Sequence, residues 1–408
     1  QLSVIQTTEK RLIIEAPAGY GKTKTMTSQI AYILASKKLS NPKKILVLTF
    51  SVNAAYKIKR DILTLSNEYK NDLYLSERVF ATNYHGFCRR FLKLYGYLEN
   101  ELIKNIDNLN SIDDSDIETL MELNDEIDYN IAKFITDFND AVKKVKKGLI
   151  KNLIKYNKYV AKYLLPENFI PFNAILTFTI QLMLENKNLR NFFQKLYPII
   201  IVDEFQDTNI LSYILLNLLV GEDTWLYLYG DPLQRIYGFI GAIPDLMNKA
   251  EKHFKAKKIK LQKNYRFKDN PDMLNLDKNL RLVAQGLDKK HLIKPANIKL
   301  YLAEDQEKES KQICKLLEEI LSRERKKVAI LTRQRSKNID KIIELLRVKN
   351  IDFFYALFSD EDVEYKKFHK EVLRIFYNKI KTTKHFRKSL LKGIKEEYSR
   401  NRKNERDI

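Results

Sequence analysis

Glycine is scarce, 11 in 408 residues against a usual share of about 7%. In so glycine-poor a chain a cluster of glycines needs a backbone reason. Six of them fall in three short places: Gly19 and Gly21, Gly86, and Gly230, Gly238 and Gly241. Cysteine is scarcer still. Cys88 and Cys314 lie far apart with no CxxC or Cys/His spacing, which argues for a reducing compartment and against a structural zinc, while the length of 408 residues excludes a disulfide-stapled miniprotein. Both read as small buried hydrophobes. No apolar run approaches the ~20 residues of a membrane span, and no signal peptide is visible. A cytoplasmic protein without membrane association is expected. The sequence starts at Gln1 with a motif beginning right there, so a trimmed start is expected as well.

Basic residues are in excess. Lys+Arg 73 against Asp+Glu 52 leaves +21, with a pI near 9.5. Such a balance favours a polyanionic partner, nucleic acid before anionic membrane, although drift in a chain rich in Lys, Asn and Ile is the competing explanation. Charge alone does not decide function. Its distribution is uneven: 141–163 carries eight lysines and no acid, whereas 101–128 is acidic, and 366–408 holds fifteen Lys/Arg and five acids, or +10. Tyr156, Tyr159 and Tyr163 interleave with the lysines, a composition shared by solvated helix faces and nucleic-acid-facing helices.

At ~150 residues per domain the length allows two or three domains. Leu12–Glu15, Ile45–Phe50, Val79–Thr82, Ile199–Asp203 and Trp225–Tyr229 read as buried parallel strands, and Thr23–Ser36 and Val52–Leu65 as helices. The polar, helical stretch from about 87 to 196 reads as an insertion into one open α/β sheet, because each strand ends in a polar or glycine-containing segment of the kind that binds ligands. A second α/β unit is expected after Leu261, with strands at Ile298–Leu302, Lys327–Thr332 and Phe353–Leu357 and helices at 306–322 and 336–348.

Ala16-Pro-Ala-Gly-Tyr-Gly-Lys-Thr23 follows an apolar strand and opens a helix. It fits a phosphate-binding loop: Gly19 and Gly21 turn backbone N–H groups inward, Lys22 reaches the β and γ oxygens, and Thr23 ligates Mg²⁺. Ile199-Ile-Ile-Val-Asp-Glu-Phe-Gln-Asp-Thr208 ends a strand in two acids. Two adjacent acids are weak evidence alone. On the same sheet as a phosphate loop they indicate NTP hydrolysis, Asp203 beside Mg²⁺ and Glu204 orienting and deprotonating the attacking water.

These segments, with Leu48-Thr-Phe-Ser-Val-Asn-Ala-Ala55, Thr82-Asn-Tyr-His-Gly-Phe87, Tyr229-Gly-Asp-Pro-Leu-Gln-Arg-Ile-Tyr-Gly-Phe-Ile-Gly-Ala242 and Asn264-Tyr-Arg-Phe267, closely resemble the UvrD/Rep group of superfamily 1 DNA helicases. The resemblance covers about 1–357, with 87–168 matched only by position. It implies a RecA-like P-loop NTPase fold: 1–86 plus 169–260 as the first motor domain, 87–168 as a helical insertion, 261–357 as part of a second RecA-like motor, and 358–408 as a basic helical tail or the start of an accessory subdomain. The implied activity is ATP-dependent translocation on single-stranded DNA or at a single-strand/duplex junction, with Mg²⁺.

Residue by residue, the resemblance implies that Gln1 reads adenine and that Ala16, Pro17, Ala18, Gly19, Tyr20, Gly21, Lys22, Thr23 and Lys24 hold the nucleotide. Gln234 would sense the γ-phosphate. Arg266 would be an arginine finger from the second motor, with Tyr265 stacking on the base. Phe50, Tyr237 and Phe239 would stack on DNA bases, and Thr49, Asn53, Asn83 and His85 would contact the DNA backbone, with His85 read as a packed or phosphate-facing histidine rather than a catalyst.

Three departures stand out. Gln29 occupies the place of an arginine that packs on adenine, which implies a relaxed base preference, and Ile240 replaces an arginine after the stacking aromatic. Beyond Ala329-Ile-Leu-Thr-Arg333 the later motifs of the second motor are missing. The chain is therefore expected to be part of a longer protein or a degenerate motor. The alternative function is a nucleotide-gated, helicase-like DNA-binding subunit that recruits a nuclease or other partner in repair or phage defence.

Overall fold

The computed structural model describes residues 1–36, 39–68, 77–146, 148–287, 294–323, 328–332 and 337–353. Strands β1 (Arg11–Glu15), β2 (Ile45–Thr49) and β3 (Val79–Asn83) come first; β4 (Asn110–Ile112) and β5 (Phe169–Pro171) form a separate pair; β6 (Ile199–Val202), β7 (Trp225–Gly230) and β8 (Lys257–Lys260) complete the main sheet. Its order is β3-β2-β6-β7-β1-β8, every neighbour parallel.

Strand side chains alternate between faces, and here both faces are apolar. Ile13, Leu46, Leu48, Ile200, Val202, Leu226 and Leu228 join one core, and their neighbours Leu12, Ile14, Ile45, Val47, Ile199, Ile201, Tyr227 and Tyr229 join the other. Continuous apolar runs are what a sheet covered by helices on both sides requires. The second core is closed by Met26, Ile30 and Ile33 of the helix Lys22–Ala35 and by Ile58 and Ile62 of Val52–Glu68.

The five expected strands are present within a residue or so of their expected ends. The sixth, β8, has the sequence Lys-Lys-Ile-Lys and carries no apolar run to betray it. Among the described residues it pairs only with β1, and lysines on such an edge discourage further pairing.

Between β3 and β6 the chain is helical as expected, except for the small β4/β5 pair. It is not uniformly polar. Helix Phe172–Glu185 is buried continuously from Ala174 to Met183 because it packs between helices Tyr84–Tyr95 and Ile210–Leu219, and a helix enclosed on all sides is apolar all round. The acidic stretch has local uses: Asp116 and Asp128 cap helices by accepting from Thr119 N (2.9 Å) and Ile131 N (2.8 Å). The interleaved tyrosines turn inward. Tyr156 and Tyr163 are buried, and Tyr159 packs edge-on against Phe134 at 5.3 Å. Tyr156 therefore presents no ring to a nucleic acid.

Residues Gln1–Ile298 form one compact unit and Lys299–Ile408 a second. In the second, helices Gln306–Arg323 and Lys337–Val348 pack through Cys314, Leu317, Ile342 and Leu346. Both helices match expectation. The expected strands do not: 298–302 and 328–332 are assigned no strand, and Leu300, Leu302 and Leu331 are exposed. Apolar runs become strands only where a partner supplies the ladder bonds, and none does so among the described residues. Lys327, Arg333, most of Phe353–Leu357 and the basic segment 358–408 lie outside the described residues. Cys88 and Cys314 are free and buried, as expected.

One buried polar contact gives a test of the insertion. The Tyr156 hydroxyl donates to Asp114, which also accepts from Asn173 Nδ2 at 3.4 Å. Burial raises the Asp114 carboxyl to about 6 despite those bonds. A raised carboxyl pKa means the folded state holds its proton longer, so this group's contribution falls as pH rises from the usual carboxylate range through about 6. Tyr156→Phe is expected to cost ~1–3 kcal/mol, more at neutral pH than under acidic conditions, where Asp114 is protonated. Urea unfolding at both pH values checks this; equal losses would contradict it.

Candidate nucleotide and DNA site

β1 delivers the chain into the loop Ala16–Gly21, and Lys22 starts the next helix. The loop is anchored at its base by Ala16 N donating to Gly230 O of β7 (2.9 Å). Gly19 and Gly21 have φ of +83° and +80°, a region other residues rarely adopt. Side chains also crowd them: a Cβ at Gly19 would lie 2.7 Å from both Arg266 Cβ and Asn264 Oδ1. The loop therefore leaves its backbone close to whatever it binds. The free N–H groups at the start of Lys22–Ala35 add the positive end of a helix dipole.

Lys22 Nζ forms an ion pair with Glu204 and lies 3.7 Å from Asp203 Oδ1. The sheet order makes this possible, since β6 lies one strand from β1 across β7. Asp203 is buried, its N–H donating to Leu48 O of β2 (2.8 Å), and burial raises its pKa while Lys22 opposes the shift. Glu204 adopts a left-handed backbone, φ +51°. Its carboxylate is paired with Lys22.

Gln206 joins this acid pair to β7. Its Nε2 donates to Glu204 Oε2 (2.8 Å), and its Oε1 accepts from Asp231 N (3.1 Å). Asp207 is pushed up to about 6 by burial and by Glu204. Gln234 Nε2 in turn donates to Asp231 Oδ2 at 2.6 Å. Gln206, Asp207 and Asp231 sat inside recognisable motifs, but their roles were not read from the sequence.

On the other side of the loop, Tyr265 N donates to Gly19 O (2.7 Å), and Asn264 Oδ1 holds Arg266 N (2.9 Å) and Phe267 N (3.0 Å). The Arg266 backbone is thus fixed beside the phosphate loop, and its exposed side chain makes no ion pair among the described residues. Gln1 Nε2 donates to Tyr20 O (3.2 Å). Gln1, Tyr20, Lys263 and Tyr265 line a cleft of about 380 Å³. Pro17 is buried and Lys24 exposed. Gln29 is wholly buried, accepting from the Tyr229 hydroxyl (2.8 Å) and donating to Val4 O (2.9 Å). It ties the segment carrying Gln1 to the sheet and does not line this cleft.

The expected DNA residues divide. Phe50 and Tyr237 stack at 4.3 Å with planes 25° apart, and Tyr237 lies 6.2 Å from Phe239, which is 76% exposed. These three form one aromatic strip. Asn53 is exposed on the first turn of Val52–Glu68. Asn83 caps the helix Tyr84–Tyr95 by accepting from Gly86 N (2.7 Å). Thr49 is buried, its hydroxyl without a hydrogen-bond partner among the described residues. Burial pushes His85 down to about 4, and its ring meets Phe172 edge-on.

Among the described residues no group of three His, Cys, Asp or Glu could hold a metal, and no helix is long and apolar enough to cross a membrane. Residues 1–255 match the family model of the UvrD/REP helicase N-terminal domain. A probable DNA helicase II homolog of Mycoplasma capricolum is 29% identical over 65% of this chain and 38% of its own length. A probable DNA helicase of Mycoplasma pneumoniae is 28% identical over 62% and 50%, and the ATP-dependent DNA helicase PcrA of Staphylococcus epidermidis 30% identical over 66% and 38%. The chain thus spans half or less of these relatives' length. With its phosphate loop, acid pair and parallel sheet lying inside the matched region, the chain belongs to the UvrD/REP helicase N-terminal domain family.

Proposed function

We propose that the chain binds Mg-ATP between Lys22 and the acid pair, and that it belongs to a motor using ATP hydrolysis to move along single-stranded DNA. The observation that carries this reading is the convergence of Lys22, Asp203 and Glu204 at the carboxyl ends of β1 and β6. The relatives named as DNA helicases support DNA as the substrate, and the name ATP-dependent DNA helicase supports ATP. Residues 1–86 with 169–260 form the first motor domain in this reading, 87–168 its insertion, and 261–357 part of a second motor.

The donor set suits a hard cation. A hydroxyl at Thr23 and one carboxylate at Asp203 leave most positions to phosphate and water oxygens, the usual way Mg²⁺ is held. Held by Thr23 and Asp203, Mg²⁺ would supply neutralisation of charge on the β and γ oxygens. Lys22 releases the carboxylates and turns to phosphate, freeing Glu204 to accept the proton of an attacking water. Gln234 and Arg266 approach the γ-phosphate from the β7 turn and the Asn264–Phe267 turn, while Gln1 and Tyr265 hold the base. The ring strip of Phe50, Tyr237 and Phe239 takes DNA bases by stacking.

Lys22→Ala is expected to weaken Mg-ATP binding at least tenfold. Glu204→Gln is expected to keep nucleotide binding but abolish DNA-stimulated phosphate release. Unchanged hydrolysis by that variant would sink the catalytic assignment. On the DNA side, Phe50→Ala and Tyr237→Ala should each cost ~1–3 kcal/mol of affinity for a dT oligonucleotide, read by fluorescence anisotropy. In the unsubstituted chain the same titration should weaken with salt at a log–log slope of about −0.7 per phosphate neutralised. Affinity independent of salt and of both rings would rule out this path.

A further inference from the structure

Helix Pro271–Ala284 carries no recognised motif, yet one of its side chains reaches the nucleotide site. Arg281 lays Nη1 and Nη2 on the two carboxylate oxygens of Asp231, at 3.1 and 2.8 Å. Its Nε donates to Asp277 Oδ1 at 3.0 Å, and Asp277 Oδ2 accepts from the hydroxyl of Tyr20 in the phosphate loop at 3.3 Å. Asp231 is 1% exposed and also accepts from Leu233 N (3.1 Å) and Gln234 Nε2 (2.6 Å). Five side chains therefore run from Tyr20 through Asp277, Arg281 and Asp231 to Gln234.

We propose that Arg281 is a positioning residue for Gln234: by clamping Asp231 it fixes the turn Pro232–Gln234 and the direction in which the Gln234 amide points. The proposal rests on the reading of Gln234 as the group that senses the γ-phosphate. An ionised carboxylate only accepts hydrogen bonds, so it dictates that the nitrogen end of the Gln234 amide faces it. The second N–H of that nitrogen remains for an acceptor outside the pair. Burial pushes the Asp231 carboxyl up, but the bonds from Arg281 and Gln234 and the charge of Arg281 outweigh this and hold it below its usual value. Without the guanidinium this buried carboxylate loses its compensating charge and two of its hydrogen bonds, so its orientation and its hold on the amide weaken.

A plain structural strap between the helix and the sheet would use the same ion pair. The two roles differ in what they do to bound nucleotides. A strap acts on every nucleotide alike, whereas positioning of Gln234 acts only where a γ-phosphate is present. Arg281 itself is committed to two carboxylates and works through Asp231, so it is not a catalytic residue.

The test measures the affinities of the 408-residue chain for Mg-ATPγS and Mg-ADP by competition with a fluorescent nucleotide. Arg281→Met is expected to cut the preference for ATPγS over ADP about tenfold and to leave ADP affinity unchanged. Arg281→Lys should give an intermediate preference, because one ammonium cannot reproduce the bidentate fork. The double variant with Gln234→Ala should be no worse than Gln234→Ala alone. Equal loss for both nucleotides in Arg281→Met overturns the proposal in favour of a strap. An unsubstituted preference in both Arg281 variants, with Gln234→Ala reducing it, overturns the proposal and leaves the sensor reading intact. If Gln234→Ala itself changes nothing, the sensor reading fails and the proposal falls with it. Should the Met variant not fold, Arg281→Lys decides alone: an intermediate preference supports the clamp and an unsubstituted one overturns it.

Discussion

The ion cluster of Lys22 with Asp203 and Glu204 is the constraint on which the rest of the structure depends. A lysine at the start of one helix and two acids about 180 residues later can meet only if β1 and β6 lie in one sheet with their carboxyl ends at the same edge. Parallel pairing supplies that alignment, and parallel strands must be joined by crossovers, which cover both faces with helices. The apolar strands and the two cores follow from this arrangement. So does the partial burial of the charges, which strengthens their interaction and leaves them dependent on a partner.

Gln206 and Asp231 extend the cluster from the acid pair to the turn after β7. Gln206 bonds both to Glu204 and to the backbone of Asp231, so the acid pair and the turn after β7 cannot shift independently. Tyr237 lies three residues beyond Gln234, and its ring is stacked on Phe50 at the end of β2. Only a few bonds therefore separate Gln234 from the aromatic strip. Stiff, short connections of this kind suit coupling better than a long loop, because few torsions are available to absorb the motion.

Much of this was legible in the sequence. Strands that are apolar almost throughout, such as β2 and β6, announce themselves, and a loop that opens a helix with Gly-Lys-Thr has one common chemical use. Other parts were hidden because their signal is not local. β8 is three lysines and an isoleucine, recruited by its partner rather than by its own pattern. Asp277 and Arg281 are visible as an i, i+4 pair on a helix, but that pair reads as surface decoration until the fold brings Asp231 beneath it. The converse error occurs at 298–302 and 328–332, where the right residues find no ladder partner among those described. Propensity states what a segment can do, and a neighbour decides whether it does.

Gln29 shows how a residue that departs from a family pattern can have a packing role of its own. Read against the arginine expected there, it implied a looser grip on the base. In the structure it is buried and bonded at both ends, to Tyr229 on the sheet and to Val4 in the helix Leu2–Ile5. An arginine at that depth would need a compensating acid, and a buried guanidinium without one is costly. The neutral amide satisfies a donor and an acceptor at no charge penalty. Its bonds tie the sheet to the segment that carries Gln1, and it stays outside the cleft lined by Gln1, Tyr20 and Tyr265.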